Sequence, residues 1–396
     1  MNISLFKSVL IFNTFYIVIL LLAWGLGNDS VSKVISFFPV FLLAYLLLFN
    51  CKKLRYINKS KTDLLIVGLL FIGSTLHVLL SPYFLLSDFI KFIFIFLVFF
   101  IAKYGLNRYK KIDHKLFFVP MLFFPLMCFC VYMYDTLIKH EATNPVLFFS
   151  NRNNAIAYTF VCIFVLSTFT KTIKNGVLAT LIVTIFYGTL GALLAFIVAF
   201  SFTMFKWSLS AAFKVLALLF FVFLMFFYLD LEIFKRVSIA INGLISFFEL
   251  YSLSDLKHVK FGEIVAMQDG SDDVSMFFRL KHWGEILAIL MDDYSNLIFG
   301  WGMGASVALT SMSLVPHNDW LRVFFELGIF NFLSFTLLNA VIFIKLRGHD
   351  KFLAALFLTL CIYMFSENLI NNFLITSFLY FSCGLFFKNE NSKYRT

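Results

Sequence analysis

Arg279-Leu-Lys-His-Trp283, Gly300-Trp-Gly-Met-Gly304 and Pro316-His-Asn-Asp-Trp-Leu-Arg-Val-Phe-Phe-Glu-Leu-Gly328 lie close together in one stretch of the chain. The third segment decides the fold. It leads from His317 into an apolar tract, 320–344, that carries charge in its opening turns. Asp319, Arg322 and Glu326 are spaced i, i+3 and i+7, so a helix puts them on one face. Glu326 lies two turns inside, where a charge is tolerated only if it is paired or faces a polar cavity. The pattern predicts a membrane-spanning helix whose polar face turns into a bundle, with His317 at the mouth.

The rest of the chain agrees. Of its 396 residues, 61% are hydrophobic and 14% are charged, with a mean hydropathy of +0.91. Soluble domains carry closer to a quarter charged residues, so the composition calls for lipid as solvent. The net charge of +10 reflects loop topology and not nucleic-acid binding. Five of the six cysteines lie in apolar runs and Cys51 sits at a basic edge, which argues against a disulfide framework. Cys128-Phe-Cys130 lacks the spacing and histidine partners of a zinc site. The first apolar run lacks a small-residue cleavage pattern and is read as a span.

Apolar runs fall near 9–27, 34–50, 64–82, 87–103, 116–134, 154–170, 177–188, 190–205, 213–230, 320–344, 352–366 and 369–387. Twelve spans with both termini cytoplasmic leave 21 of the 32 Lys and Arg residues inside, as the positive-inside rule requires. Residues 177–205 are read as two short helices, because one helix would send Lys206, Lys214, Lys345 and Arg347 outside. A twelve-residue helix reaches only about 18 Å. The turn at Gly188-Thr-Leu-Gly191 then lies below the membrane surface, where it must pack in protein or line a cavity. The expected fold is an all-α polytopic membrane protein, a single integral domain over 1–396. Residues 231–319 form its one large external loop, and parts of that loop have helical apolar spacing and lie on the membrane or cap the bundle.

Several residues can carry chemistry. His317 is a candidate general base, because imidazoles ordinarily titrate near neutral pH; a solvated loop histidine is the plain alternative. Arg279 and Arg152 can grip a diphosphate through fork-like hydrogen bonds or simply anchor to headgroups. The amides around Arg152, in Ser150-Asn-Arg-Asn-Asn154, favour the first role. No Lys-Ser/Thr follows Gly300-Trp-Gly302, so it is not a nucleotide loop. It reads as a tight turn whose amides can meet phosphate. Glu367, with Asn368, Asn371 and Asn372 between the last two spans, can bind sugar hydroxyls or simply mark a helix turn. Asp272-Asp273 and Asp292-Asp293 lack partners at metal-binding spacing and read as solvated faces.

The ordering of these motifs resembles the O-antigen polymerase and O-antigen ligase superfamily. In that superfamily a late extracytoplasmic loop carries Arg-x-x-x-Trp, then Gly-x-Gly, then His-Asn before a helix with Glu-x-Gly. Arg279, Gly300 with Gly302, His317, and Glu326 with Gly328 match those positions. Phe149-Ser-Asn-Arg-Asn-Asn154 is similar to the family's Phe-x-Asn-Pro-Asn, with Arg152 in place of the proline. One departure is Thr189-Leu190-Gly191, where the family often has Ser-Arg-Gly. The resemblance implies a glycosyltransferase-C-like membrane fold in the bacterial inner membrane. It also implies transfer of a glycan from an undecaprenyl-diphosphate carrier without metal or nucleotide, alongside a flippase and a chain-length regulator. The combined reading takes His317, Arg279 and Glu326 as catalytic. Arg152, Asn154, Arg322, Gly300, Gly302 and Glu367 are taken as substrate-binding. The divergent, Phe-rich sequence and the missing arginine turn favour a polymerase; a ligase acting on lipid A-core is the alternative. A flippase or other transporter would show two similar halves and mid-membrane charges, and the sequence has neither.

Overall fold

A computed structural model describes residues 60–105, 115–139, 149, 151–167, 173–187, 189–204, 217, 242, 245, 249, 255, 258–266, 275–292 and 294–393. The runs at 9–27 and 34–50, all of 213–230 but residue 217, much of 231–257, and Asp272-Asp273 lie outside the described residues. Within them the chain is mostly helical. α1 (Lys61–Leu80) is followed by β1 (Tyr83–Phe84) and by α2 (Leu86–Phe100), which closes in a π-helical turn, Ile101–Gly105. α3 (Lys115–Tyr134), α4 (Arg152–Ser167), α5 (Ile173–Tyr187) and α6 (Leu190–Met204) come next. The loop region contributes α7 (Phe261–Ala266), α8 (Ser275–Asp292), β2 (Gly302–Met303) and α9 (Ala305–Leu309). α10 (Asp319–His349), α11 (Lys351–Tyr363) and α12 (Phe373–Lys393) complete the fold. Residues 177–205, expected to break near Gly188, do form two helices.

Helix ends follow local chemistry. Ser60 Oγ accepts from Asp63 N at 3.1 Å and Asn318 Oδ1 from Leu321 N at 2.9 Å, each satisfying an N–H the helix cannot. Asp350 ends α10 and caps α11 in one residue, accepting from the N–H groups of Phe352 and Leu353. The two helices therefore fold back on each other, and Trp320 Nε1 donates to Cys361 O at 2.8 Å across the hairpin.

α1 and α10 are the two described helices long and apolar enough, by length and composition, to cross a membrane. They pack side by side. Gly73 sits against Asn331, and Ser334 Oγ donates to Ile66 O at 2.8 Å. α11 lies along α6, and α12 lies along α2 and α4. Rings fill the space between them, as in the pairs Phe92–Phe335, Phe94–Phe373 and Phe99–Phe387. Large apolar side chains face outward while several charges lie inside. Phe71, Leu79, Leu137, Ile138 and Ile344 are exposed, while Asp63, Asp88, Lys103, Arg322 and Glu326 are buried. At the end where α1 begins, Lys103 Nζ pairs with Asp63 at 2.7 Å beneath the rings of Phe99, Tyr104 and Phe387.

Candidate functional site

The opposite end of the bundle gathers almost every residue the sequence singles out. Its frame is the glycine run. Gly328 has φ +77°, so α10 is broken there, and Phe325 O accepts from Trp301 N at 3.0 Å. Gly300, at φ +81°, lies against this break; a Cβ on it would meet Glu326 O at 2.2 Å. Gly302, at φ +108°, pairs in parallel with Tyr83, whose carbonyl oxygen a Cβ would meet at 2.0 Å. Ser81 Oγ and His77 Nδ1 hold Phe299 O from the end of α1. The run 298–304 is thus wedged between α1, β1 and the break in α10. Gly300 N–H is committed to Asn296 O at 2.7 Å, so Gly300 and Gly302 serve close packing here.

Beneath that wedge lies a closed knot of charge. Arg322 is 1% exposed and uses three nitrogens. Nε donates to Glu326 Oε2 at 2.8 Å, one terminal nitrogen to Asp88 Oδ2 at 2.7 Å and the other to Asn371 Oδ1 at 2.6 Å. Glu326 Oε1 accepts from the Ser306 backbone N–H and hydroxyl. Asp88 also pairs with Lys91 at 2.8 Å. The expected Arg322–Glu326 contact exists, but Asp319 leaves the ladder and accepts from Ile370 N at 2.9 Å. The second carboxylate on Arg322 comes from α2, 234 residues away in sequence. A lone aspartate at the edge of the 87–103 run was the available signal for it.

The second cluster is more open and centres on Glu367, in the turn between α11 and α12. Oε1 accepts from Arg279 at 2.9 Å and from Asn153 Nδ2 at 2.7 Å. Oε2 lies 3.4 Å from His317 Nδ1. Arg279 Nε also donates to Ser366 O at 3.2 Å. Four segments therefore meet: the first turns of α4 and α8, the loop before α10, and the α11–α12 turn. Arg152 and Arg279 both lie within electrostatic reach of the Tyr363 hydroxyl. Glu367 is 5% exposed, whereas Arg279 is 21% and His317 34% exposed, so the carboxylate sits behind the groups it holds. The turn itself is clamped by α10: Asp319 N donates to Met364 O, Asp319 holds Ile370 and Arg322 holds Asn371.

The structure thus brings His317, Arg279 and Glu367 together, with Arg152 within electrostatic reach of nearby Tyr363, and sets Arg322 and Glu326 apart in the buried knot. Asn154 belongs to neither cluster by its backbone, since its N–H is capped by Asn151 Oδ1 at 2.8 Å. Its neighbour Asn153 makes the contact with Glu367. The sequence reading also passed over His282. It is fully buried, with Nε2 3.1 Å from Thr310 Oγ1, and burial holds its imidazole below its ordinary pKa. Phe278 stands edge-on to both His282 and His317. Next to it, Glu285 takes Lys281 Nζ at 2.7 Å and the Ser311 N–H at 2.9 Å.

Comparison of the sequence with protein-family models and with curated proteins finds no match.

Proposed function

We propose that the Glu367 cluster is the active site of a polytopic inner-membrane glycosyltransferase, an O-antigen polymerase of about twelve spans with both termini cytoplasmic. It joins undecaprenyl-diphosphate-linked oligosaccharide units at the outer face. The observation that carries this reading is the convergence of Arg279 and His317 on one buried carboxylate, with both side chains still partly open. In this reading Glu367 accepts a hydrogen bond from His317 Nδ1–H, which fixes the tautomer and leaves Nε2 basic. Nε2 takes the proton of the acceptor hydroxyl as that oxygen bonds to the anomeric carbon. The bond from that carbon to the carrier phosphate breaks, and the diphosphate leaves with the electron pair. Arg279, beside Arg152, stabilises the departing charge through its planar fork. The diphosphate is already an activated leaving group, so the transfer needs no nucleotide.

Arg322, Glu326 and Asp319 act as positioning residues, since their contacts fix the turn that carries Glu367. The lipopolysaccharide of a strain lacking the protein tests the reaction. Core bearing one repeat unit supports the polymerase. Bare core with polymer retained on the carrier identifies a ligase instead, and an unchanged ladder overturns both.

A further inference from the structure

α8 is built inside out. Arg279, Lys281, His282 and Glu285 all make contacts within the protein. The opposite face presents Leu287 and Met291, with Leu280, Trp283 and Gly284 half-buried beside them. Met291 is 68% exposed, and the exposed apolar series continues through Tyr294 and Ile298. At Phe299 the chain meets the end of α1, where Leu79, Leu80, Phe84, Leu85 and Leu86 are also exposed. One apolar surface therefore runs from the membrane-length helix α1 around the end of the bundle onto α8. A loop helix standing in water would carry its charges outward; charges turned inward and apolar groups outward are the arrangement of a helix in lipid. Tyr294, exposed within this series, is the kind of residue that settles at headgroup level.

We propose that α8 is an interfacial helix whose outer face lies among the acyl chains of the leaflet at the active-site end. The inference rests on the membrane reading above. It adds that the large loop enters the lipid and does not stand off in water. From Arg279 to Met291 the helix rises about 18 Å, so one rigid element joins the Glu367 cluster to the bilayer. A diphosphate tethered to a polyprenyl chain then reaches Arg279 from the lipid side.

The test is photo-cross-linking of the full chain in phosphatidylethanolamine–phosphatidylglycerol vesicles. p-Benzoylphenylalanine is placed at Met291 in one preparation and at Phe71 of α1 in another. Phospholipid adducts at both positions, at comparable yield, are expected. Adducts at Phe71 with none at Met291 overturn the interfacial helix and leave the membrane reading standing. Chain-to-chain adducts at Met291 assign that face to a second copy and equally overturn the proposal. Absence of lipid adducts at both positions removes the membrane reading and the proposal with it.

Discussion

Two arginine–carboxylate clusters sit at the same end of this molecule, and they differ in what surrounds them. Arg322 meets Asp88, Glu326 and Asn371 with its own side chain 1% and that of Glu326 0% exposed. Arg279 meets Glu367 with a fifth of its side chain exposed and with His317, a third exposed, alongside. The same pair of residue types therefore does two jobs. A buried knot in which each carboxylate meets a cation holds helices together, and its loss strands charge in the interior. A cluster with a buried carboxylate and open partners can present those partners to a substrate. On the function proposed above, the difference assigns catalysis to the Glu367 cluster and support to Arg322.

The comparison breaks most visibly at Arg322. Arg322→Ala leaves Glu326 buried without its counter-charge and Asp88 with Lys91 alone, a loss of roughly 3–5 kcal/mol in comparable cases. Folded protein in the membrane is expected to fall sharply, measured by abundance and by thermal unfolding in detergent; normal abundance would make the knot dispensable. Gly328→Ala and Gly300→Ala come next, since each new Cβ collides with backbone at a positive φ. Strain of about 1–3 kcal/mol is expected to lower Tm before activity is considered, and an unchanged Tm would mean the wedge relaxes easily.

The Glu367 cluster is expected to respond in the opposite way. Arg279→Lys keeps the charge but loses the planar fork. It is expected to leave abundance normal and to abolish polymer beyond one repeat; a full ladder would assign Arg279 to headgroup anchoring. Glu367→Gln keeps the shape and removes the charge that holds Arg279 and His317. Slower turnover at near-normal abundance is the expected result, and collapse of the fold would move Glu367 into the structural class with Arg322.

The smallest effect concerns His282. Burial holds its imidazole below 6.5, so the unfolded chain binds a proton that the folded chain resists. Stability contributed by the neutral ring is present above that value and is lost as pH falls through it. His282→Gln is expected to flatten the fall in Tm between pH 7 and 5, and an identical pH profile would show that the ring stays neutral or solvated in both states.

How much of this was legible beforehand follows from what is local. Apolar runs and the break between α5 and α6 depend on neighbours in sequence and can be read there. The i, i+4 pairing of Arg322 with Glu326 is local too. Asp88 on Arg322 and Gly300 on the broken turn at Gly328 are tertiary contacts, and no spacing announces them. Glu367 was visible as a polar residue between spans, but its place at the centre of the cluster depends on segments from four parts of the chain. His282 was hidden for another reason: it lies in a stretch whose apolar spacing is helical, and nothing local says that this side of α8 packs inward.

The most direct test is turnover by purified protein of a polyprenyl-diphosphate-linked repeat unit, comparing wild type with His317→Ala at equal folded concentration. The account predicts that the wild type extends the chain and that His317→Ala slows extension by about 10²–10⁴-fold with an unchanged Tm. Extension by His317→Ala at the wild-type rate would contradict it.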